Sequence, residues 1–238
     1  MSKKLRIVFG VIFMIIQISI LSLYYADRFF NVSFSFDPFT VLFVFIISIF
    51  IQSFFYYKSW GIGNIITRCA FFFTLIADFF MTYLGKYYEI SICFFIFVQL
   101  SYFILINYLY NKKYLNLMIK LYLIILGTLI LIGLRLQLLN LLAVIAVIYI
   151  SLSIINIIYL IILKRKDKFS IGFLIGLVLF LLCDISIGIM NLSTNNIVAS
   201  FFDKIIWVFY GPSQIVLVNT LSHVNEMEIL SYEESIKS

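Results

Sequence analysis

Residues 71–85 read FFFTLIADFFMTYLG. This stretch is fit for lipid, yet it carries a carboxylate, Asp78. A carboxylate near the middle of a membrane-spanning helix costs roughly 2.5–3.5 kcal/mol on insertion scales, so such a residue faces a partner, a cavity or a reaction. One other acidic side chain sits as deep in an apolar run, Asp184 in LVLFLLCDISIGIMN, residues 177–191. The two are expected to belong to one site.

Of the 238 residues, 64% are hydrophobic and 12% are charged, against about a quarter charged in soluble domains. The composition is that of an integral membrane protein, and it leaves no segment able to bury a soluble core of its own. Residues 1–225 therefore read as a transmembrane domain and residues 226–238 as a short polar cytoplasmic tail. The tail's Glu226, Glu228, Glu233 and Glu234 read as a solvated, fraying helix end. The first apolar run follows Ser2, Lys3 and Lys4 like a signal peptide but has no small-residue cleavage site, so it reads as a retained span. Cys69, Cys93 and Cys183 each stand alone in an apolar run, which points to packing rather than to disulfides or a thiolate metal site.

About 20 apolar residues cross a bilayer as a helix. Cutting at the polar clusters gives eight spans, at about residues 5–25, 39–57, 62–85, 89–110, 115–134, 137–163, 169–192 and 200–225. The expected fold is an all-α, polytopic bundle of eight transmembrane helices. The weakest cut is at Arg135, a single charge between two long runs. Charge supports it: of 17 Lys and Arg, all but Arg28, Lys86, Arg135 and Lys204 fall on one face. A seven-span reading would put the KRKDK run and the Lys112-Lys113 pair on opposite faces. The basic excess marks that face, and both termini, as cytoplasmic in a multi-pass cell-membrane protein. The net charge of +6 is spread over separate loops, where anionic lipid accounts for it, so no nucleic-acid partner is expected.

Spans three and seven start on the same side, near Gly63 and Ser170. Asp78 lies 15 residues past the first and Asp184 14 past the second, which at 1.5 Å per residue puts both about 21–23 Å into the membrane. If the two helices are neighbours, the carboxyls meet. Span four carries Gln99 and Tyr102 near its middle, and span eight carries Tyr210 and Gln214. Thr74 and Thr82 flank Asp78 at one helical turn, and Ser186 and Asn191 lie near Asp184, extending polar stripes on otherwise apolar helices. Two carboxyls in a low dielectric do not both ionise cheaply, so the pair is expected to share one proton and offer an acid and a base together. The plainer alternative is that both simply hydrogen-bond Gln, Tyr or Thr and fasten helices. There is no G-x-S-x-G and no H-E-x-x-H, and the single histidine, His223, falls at the end of the last span. Neither a metal site nor a cofactor is expected.

These blocks resemble the YhhN family of eight-helix membrane lysoplasmalogenases. That family's third helix has a pattern like S-l-l-G-D-x-x-L and its fourth F-x-x-x-H-x-x-Y; here they read TLIADFFM, from Thr74 to Met81, and FIFVQLSY, from Phe95 to Tyr102. A later pattern, G-x-x-x-F-x-x-S-D followed by Y-x-x-x-Q, is matched by Gly176, Phe180, Cys183-Asp184 and then Tyr210 to Gln214. Ala77 stands in place of Gly, Gln99 in place of His, Cys183 in place of Ser, and Asp37-Pro38 where Lys-Pro is usual. The resemblance implies hydrolysis of the vinyl ether bond of a single-chain ether phospholipid, with Asp78 and Asp184 catalytic and Thr74, Gln99, Tyr102, Tyr210 and Gln214 binding substrate. Lys86 and Arg135 are candidates for meeting its phosphate, and the Gln at position 99 raises the alternative of a divergent, inactive member. Two other classes stay open: a proton-coupled solute transporter, with Gly211-Pro212 interrupting span eight, and a non-catalytic receptor or scaffold using the acidic tail.

Overall fold

A chain this apolar must close its backbone hydrogen bonds within each segment, which leaves the α-helix as its element. The structure, a computed structural model, describes residues 3–30, 37–55, 61–110, 114–137, 140–164, 167–220, 223–224 and 227–228. Among them are α1 (Lys3–Phe30), α2 (Pro38–Phe55), α3 (Ile62–Asp78), α4 (Tyr88–Leu109), α5 (Leu115–Arg135), α6 (Leu141–Leu163), α7 (Lys168–Leu192) and α8 (Asn196–Thr220). Seven of these helices are long and apolar enough to cross a membrane; the eighth, α2, has a shorter apolar stretch, Phe39–Phe54.

The helix starts are written locally. The Asp37 carboxylate accepts from the Thr40 backbone N–H at 3.0 Å, with Pro38 at the first helical position, where a missing N–H costs nothing. Asn140 accepts from the Ala143 N–H at 2.8 Å, and Asp167 from the Ser170 N–H at 2.8 Å. The break at Arg135 is real: α5 ends there, and Gln137 turns the chain at a positive φ of 54°. Pro212, by contrast, does not interrupt the last helix, which runs unbroken from Asn196 to Thr220. A proline cannot donate to the carbonyl four residues back. Beside this weakened turn the Tyr25 hydroxyl of α1 donates to the Trp207 carbonyl at 2.7 Å.

The packing forms a ring in which α1 neighbours α2, α2 neighbours α3, α3 neighbours α4, α4 neighbours α6, α6 neighbours α7 and α7 neighbours α8, with α8 closing on α1 and α2. α5 stands outside, packed chiefly on α6, with Met118 its buried residue. Lipid is as apolar as leucine, so helices here hold together by close packing and hydrogen bonds rather than by the hydrophobic effect. The tightest pair, α7 and α8, meets at glycines four residues apart: Gly172 lies against Thr220, and a Cβ on Gly176 would stand 2.6 Å from Leu217 Cδ2. A buried amide chain joins three helices, with Gln17 Nε2 donating to Gln52 Oε1 at 2.6 Å and Gln52 Nε2 to Asn219 Oδ1 at 3.3 Å. Tyr159 of α6 donates to Asn107 of α4 at 2.9 Å.

Beyond α8 the chain does not behave as a frayed end throughout. Val224 and Met227 are buried, and Glu228 Oε1 accepts from the Gly63 N–H at 2.8 Å. The start of α3 has no side-chain cap of its own, so a carboxylate far along the chain satisfies a donor there and meets the positive end of the helix dipole. The remaining tail, 229–238, lies outside the described residues.

Two outcomes test this packing. Gly176→Ala is expected to cost about 1–3 kcal/mol through overpacking, read as a lower midpoint of thermal unfolding in detergent; an unchanged midpoint would refute the close α7–α8 approach. Glu228→Gln, which keeps the acceptor and removes the charge, should lower the midpoint less than Glu228→Ala, whose loss is about 0.5–2 kcal/mol.

Candidate functional site

The apolar surroundings of Asp78 leave its carboxyl few donors, and the structure supplies one from another helix. Asp78 is 3% exposed, and the Tyr210 hydroxyl of α8 donates to its Oδ2. Asp184 repeats the arrangement: the Tyr149 hydroxyl of α6 donates to its Oδ2 at 2.7 Å. Each carboxyl takes its hydrogen bond from a tyrosine and not from the other carboxyl.

Both acids line one cavity of about 180 Å³. It lies towards the end of the ring where α3 and α7 finish and α4 and α6 begin, with the middle of α8 alongside. The expected neighbourhood of the third and seventh helices takes a different form: the main partners of α3 are α2 and α4, and those of α7 are α6 and α8. The acids reach the shared cavity from separate walls. Phe95 and Phe180, with ring centroids 5.7 Å apart, sit between the two pairs, Phe95 against Tyr149 and Phe180 against Tyr210. Cys183, buried on the helix turn before Asp184, also lines the space.

The helix carrying Asp78 changes pitch immediately after it. Phe79–Tyr83 forms a π-turn in which the Leu84 N–H donates to the Phe79 carbonyl five residues back at 3.0 Å. Such turns cluster at functional sites because the wider winding re-aims side chains. Here it leaves Asp78, Met81 and Thr82 together on the cavity wall, while the Ser91 hydroxyl of α4 donates to the Ala77 carbonyl at 2.9 Å and ties that wall down.

The walls are not equal. Asp78, Thr82, Phe95 and Tyr210 are buried, whereas Leu142, Ala146 and Ile150 of α6 and Asp184, Ile187 and Gly188 of α7 are half-buried and Asn191 is exposed. The cavity therefore reaches the surface of the bundle along α6 and α7. A Cβ added to Gly188 would meet nothing within 4 Å, which marks open space on that side.

Of the residues singled out in the sequence, the cavity gathers Asp78, Asp184 and Tyr210, with Thr82 and Asn191 beside them. Thr74, Gln99, Tyr102 and Gln214 do not line it. The Thr74 hydroxyl turns back to the Ala70 carbonyl at 3.0 Å, and Ser186 to the Leu182 carbonyl at 2.8 Å. Lys86 and Arg135 are likewise absent from the lining. Sequence reasoning missed Tyr149 and Trp207. Nothing in the run AVIAVIYIS separates Tyr149 from any other tyrosine of a lipid-facing helix.

Among the described residues no three His, Cys, Asp or Glu side chains converge as a metal-binding group would require. No protein-family model, curated protein or solved structure matches this chain.

The two tyrosine bonds differ in what their loss exposes. Tyr210→Phe leaves a buried carboxyl without its donor and should cost about 1–3 kcal/mol. Tyr149→Phe should cost less, because Asp184 is half-buried and the cavity it lines reaches the exposed amide of Asn191, a second donor. Thermal unfolding of the two variants side by side checks the order, and a larger loss for Tyr149→Phe would contradict the burial difference.

Proposed function

We propose that this protein is an intramembrane ether hydrolase that cleaves the vinyl ether bond of single-chain ether phospholipids, in a bundle of eight spans with both termini on the cytoplasmic side of the cell membrane. The observation that carries the reading is the pair of carboxyls from separate helices facing one apolar cavity that opens along α6 and α7. A solute passing through a transporter needs an aqueous path and helices broken at its binding site; α8 is continuous past its proline.

The chemistry asks for an acid, a stabiliser of positive charge and water. One carboxyl donates its proton to the vinyl carbon remote from oxygen, giving an oxocarbenium ion. The other carboxylate faces that cation and orients water, which adds to the cationic carbon and gives up a proton. The resulting hemiacetal collapses to a fatty aldehyde and a free glycerol hydroxyl, so one water is consumed and no other reactant is needed. The division of labour follows the logic of paired carboxyls in glycoside hydrolysis. Tyr210 and Tyr149 hold the two carboxyls in place and leave the second oxygen of each for the reaction.

The cavity, at about 180 Å³, is smaller than the roughly 300–1,000 Å³ of sites that enclose a whole drug-sized ligand. It suits the vinyl ether segment alone. The acyl-like tail then lies against apolar α6 and α7 surfaces within the bilayer, and the headgroup stays near Asn191 at the end of α7. Substrate arrives sideways, through the half-buried wall.

Purified protein in lipid nanodiscs is expected to release fatty aldehyde from a lysoplasmalogen and not from the matching acyl lysophospholipid. Asp78→Asn and Asp184→Asn should each lower kcat about 10²–10⁴-fold with little change in unfolding midpoint. Gly188→Phe should fill the cavity and suppress turnover without disturbing the fold. Full aldehyde release by the double Asn variant would end the proposal. Removing residues 229–238 should leave turnover intact, whereas a scaffold acting through its tail would lose function.

A further inference from the structure

Under the cavity lies a second polar feature with a different character. Gln99, Tyr102, Asn156 and Gln214 come from α4, α6 and α8, and all four are 0% exposed. Asn156 Nδ2 donates to Gln99 Oε1 and to the Gln99 carbonyl, both at 2.9 Å. Beyond that bond and one from the Gln99 amide to the Tyr149 hydroxyl the groups run out of protein partners: the Tyr102 hydroxyl, Asn156 Oδ1 and both side-chain polar atoms of Gln214 are buried without one among the described residues.

Contacts across the ring fix their level. Phe95 against Phe180 and Tyr102 against Phe173 set the register of α4 on α7. Phe180 against Tyr210 and Gly176 against Leu217 set that of α7 on α8. In this register Gln99 and Gln214 stand at one depth, about one helical turn below Tyr210 and thus below the acids. Helical side chains lean toward the N-terminus, which for α4 is the cavity end, so the Tyr102 hydroxyl is carried up toward Gln99. The Gln99 amide in turn lies beside the Tyr149 hydroxyl, the group that donates to Asp184.

Leaving a buried amide or hydroxyl unpaired costs about 1–3 kcal/mol each, and a buried water that satisfies such groups makes about three hydrogen bonds. Four such atoms at one level of the bundle call for a partner that the protein does not supply. We propose that Gln99, Tyr102, Asn156 and Gln214 form a buried water-binding site beneath the two carboxyls. Its ligand is water alone: the layer has amide donors and acceptors and a hydroxyl but no charge to hold an ion. Under the hydrolase reading, and resting on it, this layer stores the water that the reaction consumes on the side of the acids away from incoming lipid. The hydration itself does not depend on that reading.

Radiolytic hydroxyl footprinting of the protein in nanodiscs, read by mass spectrometry, separates the two. Radicals formed from bound water label neighbouring rings even where bulk solvent does not reach. Tyr102 should be labelled at least five-fold more than Tyr159, which is equally buried but has its hydroxyl bonded to Asn107. Gln214→Leu should bring Tyr102 labelling down toward the Tyr159 level. Equal labelling of the two tyrosines in the unaltered protein would overturn the proposal, whatever the variant does. Aldehyde release with Tyr102 dry would remove the water site and leave the hydrolase standing; a labelled Tyr102 without aldehyde release would do the reverse.

Discussion

A carboxyl group placed in hydrocarbon must be given a hydrogen-bond donor by the protein, and the arrangement of this bundle follows from doing so twice. Tyr210 reaches Asp78 from α8, and Tyr149 reaches Asp184 from α6. Each bond crosses between helices, so the requirement of two side chains sets which helices surround the cavity. The ring order, with α3 and α7 separated and α6 and α8 presenting tyrosines, is the geometry that meets both requirements at one depth. The glycine contact between α7 and α8 and the amide chain through Gln17, Gln52 and Asn219 hold that order away from the site.

Polarity in the interior is layered along the bundle axis. The carboxyls and their tyrosines occupy the cavity, the amide layer of Gln99, Asn156 and Gln214 lies beneath, and bonds such as Tyr159 to Asn107 lie deeper still. Towards the end where α7 begins, Asp167 closes the series by capping α7 and accepting from Ser170. The layers differ in how well the protein satisfies them. Asn107 and Asp167 have protein donors, the carboxyls have one tyrosine each, and the amide layer has more groups than partners. Part of the unsatisfied capacity therefore sits in the layer just below the cavity.

Much of this was written in the sequence, and the parts that were not share a physical cause. Asp78 and Asp184 stood out because charge in an apolar run is costly, and counting residues from the helix starts placed them at one depth. The Arg135 break followed from the charge asymmetry. Tyr149 could not be found that way, since tyrosine is ordinary in lipid-facing helices and only the packing of α6 on α7 gives it a carboxyl. The same holds for Thr74, Gln99, Tyr102 and Gln214: polarity marked them, but a residue one turn along a helix moves by a whole layer, and the sequence carries no register between helices. The π-turn after Asp78 and the docking of Glu228 on Gly63 also depend on contacts made far along the chain. Pro212 erred the other way, reading as a break where the helix passes through.

Position 99 shows how the layers bear on chemistry. A histidine there would titrate and could carry protons; the glutamine of this chain does neither. Were Gln99 on the cavity wall, its neutrality would remove a reacting group. It lies instead in the amide layer, bonded by Asn156 and beside the Tyr149 hydroxyl. A neutral amide there keeps a polar neighbour for Tyr149 while adding no charge under the acids. The two carboxyls are then the ionisable groups that the proposed reaction has to work with, and any proton moved between them passes through tyrosine hydroxyls, cavity water or substrate.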